Sequence, residues 1–200
     1  MKTDFVTECG QSGAWKIDSF TVEEKDLGLF NMQLIMHGGS NRRVTPGTYF
    51  RLTRGEGFCK TVVMTNTPAE IYDLQPLFNY GTGNVLINGL GLGIAVWELL
   101  KKPDVAKITV IENSQDVINL TGKLFKDNPR VEIILADCFE YKPPKDAKYD
   151  FVWHDIWDAI CSDNLEQMAK LHRKYAKRAV IQYSWCKDEC RRAKHRYGGW

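Results

Sequence analysis

The sequence lacks any apolar run near the roughly 20 residues that a membrane-spanning helix needs. Its opening stretch, MKTDFVTECG, has no apolar core of the kind a secretory leader carries. The expectation is a cytoplasmic protein with no membrane partner. No Cys-x-x-Cys pair occurs among the six cysteines. Cys186 and Cys190 are one helical turn apart, with His195 nearby, but this set falls short of the four ligands of a structural zinc site. Reduced thiols and no metal are expected. A strong overall charge is also missing, since the net value is +2. The charge is uneven, however. From Gln167 to Trp200 there are ten Lys/Arg against Asp188 and Glu189 alone. Such a basic end suits a phosphate-bearing partner such as nucleic acid, or serves as a solvated helix face and tail.

What is present reads as a soluble α/β chain: 200 residues, 44% apolar and 26% charged. Residues 1–66 form a β-rich segment. AWKIDSFTV (14–22), TYFRLTR (48–54) and KTVVMT (60–65) carry strand patterns, with Gly55-Glu56-Gly57 as a hairpin connection. A short strand and polar loop are expected over 30–43. This segment is too small for a comfortable core of its own and is expected to pack on the remainder of the chain. From residue 67 strands and helices alternate. Asn66 or Thr67 caps a helix with Pro68 in its first turn, interrupted by Pro76. Strands are expected over 85–89, 107–113, 130–137, 149–157 and 178–185. Helices are expected over 94–102, 115–127 and 164–177, with a basic helix and tail to the end. Short apolar strands separated by helices give a doubly wound, mainly parallel sheet occupying 67–200.

In such a sheet ligands bind beyond the C-terminal strand ends. Gly89, Gly91 and Gly93 follow the first strand in VLINGLGLGIAV (85–96). Glycines there permit tight geometry and close backbone approach. The spacing departs from the dinucleotide fingerprint, because Ile94 stands where that pattern has its third small residue. Glu112 ends the second strand, where a carboxylate can accept from both ribose hydroxyls or sit near the next helix start. Asp137, beside Cys138 and Phe139, ends the third strand; it can accept from an adenine amino group or cap a turn. Asp155 ends the fourth strand, flanked by His154, Trp157 and Asp158. It can orient an amine or hydroxyl, or act as a base. Trp157 can stack on a cation or a flat substrate, or belong to the core.

VLINGLGLG (85–93), VIEN (110–113), ADCFEY (136–141) and YDFVWHDIWD (149–158) resemble, in order, the motifs of class I S-adenosylmethionine-dependent methyltransferases. Within that superfamily the chain is most similar to the spermidine-synthase-like branch. VVMTNTPAEIYDLQPLF (62–78) resembles its hairpin and leading helix, and the likeness covers roughly residues 60–185. The resemblance implies a Rossmann-like methyltransferase fold and an adenosyl cofactor, S-adenosylmethionine. It places Gly89, Gly91 and Gly93 against the amino-acid and ribose portions, and Glu112 at the ribose. Asp137, with Cys138, would meet the adenine, and Asp155 the sulfonium side. Asp155 and Asp158 are the implied catalytic acids; Glu70, His154 and Trp157 lie on the acceptor side.

Two departures separate the chain from spermidine synthases. Leu92 stands where they carry an Asp in the glycine turn. Ile156-Trp157 replaces the two small polar residues between their paired acids. A polyamine is a multiply charged cation, so losing an acid and adding bulk favours methyl transfer over aminopropyl transfer. The expectation is therefore a methyltransferase of unspecified acceptor, whose site aligns nucleophile, methyl carbon and sulfur. An aminopropyltransferase and a non-catalytic adenosyl- or nucleic-acid-binding module are the alternatives. The chain has no Asn/Asp-Pro-Pro-aromatic segment of the kind that amino-methylating DNA enzymes carry. It also has no obvious pair of extra antiparallel strands after the fifth. A homodimer is one way to supply the missing substrate wall.

Overall fold

A computed structural model describes residues 3–28, 32 and 44–197. The strand and loop expected over 30–43 lie outside the described residues, Met32 apart. The first part of the chain forms an antiparallel sheet in sequence order, from β1 (Gly10–Ser12), β2 (Trp15–Val22), β3 (Gly47–Arg54) and β4 (Thr61–Thr65). The three-residue β1 has no counterpart among the strands expected from the residue pattern. It exists because Gly13, at φ +51°, turns the chain back so that Gly10 pairs with Ile17. Ser12 then donates to Asp116 Oδ1 at 2.7 Å, which ties the hairpin to a distant helix.

The second part forms a fully parallel sheet in the order β7-β6-β5-β8-β9. Its strands are β5 (Gly83–Asn88), β6 (Val105–Glu112), β7 (Val131–Leu135), β8 (Tyr149–His154) and β9 (Ala179–Ser184). The helices are α1 (Pro68–Asp73), α2 (Gln75–Tyr80), α3 (Ile94–Leu100), α4 (Gln115–Thr121), α5 (Asn164–Tyr175) and α6 (Lys187–Tyr197). The fold is thus the doubly wound sheet with a small β-rich segment that the residue pattern implies. Central strands are covered on both faces, so Val85, Leu86, Ile87, Phe151, Val152 and Trp153 are buried as continuous runs.

The single helix expected after Thr67 is instead two. Leu74, at φ −82° and ψ 3°, breaks it. Pro76 has no N–H for the carbonyl of Tyr72, so the chain restarts as α2. β8 also stops at His154, which leaves Asp155 to Trp157 in the loop beyond it. Ile17 and Leu52 of the antiparallel sheet are fully buried in the same apolar cluster as Val85, Leu92, Val117 and Phe125. The β-rich segment therefore packs on the α/β part, as its small size requires. The chain runs from β5 outward to β7, then returns to β8 on the other side of β5. That reversal opens a crevice at the C-terminal ends of β5 and β8.

Candidate functional site

The crevice is a cleft floored by the glycine turn and roofed by the antiparallel sheet. Its lining includes Gly89, Leu90, Gly91, Glu112, Asp137, Cys138, Asp155, Trp157 and Asp158 from the parallel sheet's C-terminal edge. Glu70 comes from α1, and Trp15, Leu52, Arg54 and Met64 from above. Of the residues singled out from sequence, all but Gly93 and His154 meet here.

The three glycines do different work. Gly89, at φ +98°, lies beneath the end of β8: an added Cβ would stand 1.9 Å from the Asp155 carbonyl oxygen. Gly91, at φ +53°, lies under Met64, whose sulfur would be 2.6 Å from a Cβ. Gly93, at φ +84°, caps α3 and packs under Phe125 and Thr121, at 2.7 and 2.8 Å from an added Cβ. Gly93 is therefore a packing residue below the cleft. Leu92 is likewise buried in the core, so it leaves this turn without a charge.

Glu112 is buried at the end of β6, and its two oxygens each accept one backbone N–H, from Leu90 and Ser114, both at 2.8 Å. Burial raises its pKa, and the backbone donors act against that rise. A carboxylate oxygen accepts more than one hydrogen bond, so this geometry also suits two ligand hydroxyls. The carboxylate fixes the height of the glycine turn against β6. Asp137 holds its own turn: Oδ1 accepts from the Phe139 N–H at 2.6 Å. Its capping role and its place in the cleft wall coexist. The Cys138 thiol is pushed up to about 12 by burial, so it is not a nucleophile near neutral pH.

Asp155 sits just past β8, half-buried, with its N–H donating to the Asn88 carbonyl at 2.9 Å. Trp153 Nε1–H donates to Asp155 Oδ2 at 3.3 Å. Burial pushes its carboxyl up to about 7, and the negative charges of Glu70 and Asp73 add to the rise. Glu70 accepts from the Thr65 N–H at 2.7 Å and the Thr65 hydroxyl at 2.9 Å. Trp157 is both wall and core: it lines the cleft, and its Nε1–H donates to Gln167 at 2.7 Å. Asp158 accepts from Arg54 Nη2 at 2.5 Å.

His154 corrects the sequence reading. It is fully buried behind β8, away from the cleft, where Nδ1 meets Asn88 Nδ2 at 2.7 Å and Nε2 meets Gln182 Oε1 at 3.3 Å. Burial pushes its pKa down to about 3, so the ring is neutral. It is a satisfied core histidine. Sequence reasoning also missed Trp15, Arg54 and Met64. The period of two in 48–54 was the available signal, because it puts Arg54 on the buried face of Leu52. At the basic end, Arg191 and Arg192 of α6 pair with Asp188 and Glu189 on the same helix.

The strand order, the glycine turn after the sheet's first strand and the acid ending its second define a doubly wound, Rossmann-like fold. A family model described as spermine/spermidine synthase domain matches residues 65–184, and the chain belongs to that family. A polyamine aminopropyltransferase from Pyrobaculum arsenaticum is 30% identical over 95 residues, which is 42% of this chain and 33% of that protein. Putrescine N-methyltransferase 2 from Nicotiana attenuata is 30% identical over 86 residues, 40% of this chain and 21% of that protein. A crystal structure of spermidine synthase from Thermotoga maritima superposes with a TM-score of 0.45 at 24% identity, covering 82% of this chain and 51% of that one. The matched stretch thus spans a third or less of these curated relatives' length. No described helix is long and apolar enough to cross a membrane.

Proposed function

We propose that the chain binds an adenosyl sulfonium over the glycine turn and Glu112, and transfers an alkyl group from its sulfur to an amine nitrogen beside Asp155. The observation that carries this reading is the placement of Asp155. Asp155 lines the crevice from the loop after β8, beside Gly89 of the glycine turn, and its carboxyl, pushed up to about 7, suits proton transfer near neutral pH. The amine lone pair attacks the carbon attached to sulfur. The carbon–sulfur bond breaks, the sulfonium becomes a neutral thioether, and the nitrogen gives its proton to the Asp155 carboxylate. The remaining work is alignment.

Two donors fit this scheme. Family membership and the aminopropyltransferase relatives favour decarboxylated S-adenosylmethionine as an aminopropyl donor. They favour it over the methyl transfer expected from the residues. A methyl from S-adenosylmethionine is supported by one feature of this chain, the uncharged turn at Leu92, which adds no negative charge against the donor's carboxylate. Calorimetry with both donors and with their thioether products tests the cofactor reading, and binding by none of the four would sink it. Mass analysis of the products formed from putrescine and from a monoamine such as pentylamine with each donor then decides which group moves.

A further inference from the structure

We infer that Arg54 sets the class of acceptor: an amine with a single positive charge on an apolar or planar body, in preference to a diamine. This inference rests on the amine-alkylation reading above. The acids lining the cleft fall into two groups. Glu112 and Asp137 end or follow β6 and β7, on the side assigned to the adenosyl group. Asp155, Asp158 and Glu70 lie on the β8 side, where the acceptor would enter. Asp155 can serve the reacting nitrogen, and Glu70 near it already accepts two hydrogen bonds from Thr65. Asp158 would be the group to meet a second ammonium, and it is occupied.

Arg54 Nη2 lies 2.5 Å from Asp158 Oδ2, a contact made across 104 residues of sequence. The guanidinium is held from another side as well: its carbon lies 5.3 Å from the centre of the Trp15 ring. Sheet register builds that stack, because Trp15 and Arg54 are directly paired across β2 and β3. Among the described residues lining the cleft, Arg54 is the single Lys or Arg. A distal ammonium approaching Asp158 would therefore meet a neutral pair and a like charge. The surrounding aromatic surface of Trp15, Phe139, Trp157 and Trp185 suits an uncharged body instead. The pair is half-exposed, so its own strength is modest; what it alters is the local charge an incoming group meets.

The test compares pentylamine with putrescine, which differ by a methyl in place of the distal ammonium. The full chain is first saturated with S-adenosylhomocysteine or methylthioadenosine, and each amine is then titrated calorimetrically at low salt. Wild type is expected to bind pentylamine about tenfold more tightly than putrescine. Arg54→Gln is expected to shift the ratio about tenfold toward putrescine, while Arg54→Lys keeps the wild-type order. Wild type preferring putrescine, an unchanged ratio in Arg54→Gln, or binding of neither amine overturns the inference. Failure of both nucleosides and of both donors to bind overturns the cofactor reading itself, and is seen before any amine is added.

Discussion

Replacing Gly89 with alanine strikes the point where the ends of β5 and β8 meet. Two costs arise there. The backbone is at φ +98°, where an L side chain is strained by about 1–2 kcal/mol. The new Cβ would also stand 1.9 Å from the Asp155 carbonyl oxygen, against roughly 3.3 Å for an ordinary carbon–oxygen contact. One side must retreat by more than about 1 Å, yet the Asp155 N–H is tied to the Asn88 carbonyl at 2.9 Å. Overpacking of this kind adds about 1–3 kcal/mol, for a total of about 2–5 kcal/mol. Gly57 supplies the control: it has φ +55° and nothing within 4 Å of an added Cβ, so Gly57→Ala carries the strain alone. Urea unfolding followed by tryptophan fluorescence measures both variants. Gly89→Ala is expected to lose at least about 1 kcal/mol more than Gly57→Ala, and alkyl transfer is expected to fall about a hundredfold because Asp155 is displaced. Equal losses in the two variants would refute the close-approach argument.

Three other substitutions probe the same edge. Asp155 titrates near 7 when folded, against an ordinary value of 3.8, so the folded chain holds a proton that the unfolded chain has lost; stability falls as pH rises from about 4 to 7. Asp155→Asn should remove that fall in pH-dependent unfolding. In the wild type, alkyl transfer should rise with pH through about 7; a pH-independent wild-type rate contradicts the base role. Glu112→Gln places an amide N–H₂ against a backbone N–H, and calorimetry should show adenosyl affinity reduced by about tenfold or more, with unchanged affinity counting against the ribose role. His154→Leu leaves the Asn88 amide without its buried partner and should cost about 1–3 kcal/mol in urea unfolding, with little change in acceptor KM. A raised KM with unchanged stability would contradict its placement behind the sheet.

The parallel sheet is legible in the sequence because its strands are buried on both faces and therefore read as apolar runs bounded by glycine, proline and capping residues. Glu112, Asp137 and Asp155 are legible for a related reason: each falls at or just past such a run's end, which places it at the crevice. The failures have definite causes. β1 is three residues long, and its pairing depends on a turn at Gly13 and a contact to Asp116 that no local pattern contains. Pro76 is a visible interruption, but whether a proline kinks a helix or splits it depends on Leu74's escape from helical geometry. Period two places His154 with Val152 on the face that α5 covers, whereas Asp155 lies beyond the strand and escapes that rule. The spacing of the turn glycines suggests ligand contact at all three, yet the added Cβ at Gly93 meets Phe125 and Thr121. Arg54 and Asp158 find each other across half of the chain, a distance at which pairing is set by tertiary structure alone.

The roof of the cleft comes from β2, β3 and β4, and its floor from residues after β5. Contacts that join the two are remote in sequence: Ser12 to Asp116 and Arg54 to Asp158 each span 104 residues. Loops of that length close late, because chain entropy must be overcome before the contacts form. The β-rich segment can therefore complete its hairpins early, but Ile17 and Leu52 have no partners to cover them until β5, α4 and the chain to Phe125 are present. During that interval its inner face is exposed apolar surface. Docking of the two sheets is therefore expected late in folding, and refolding yield is expected to fall with rising protein concentration while that apolar face is uncovered.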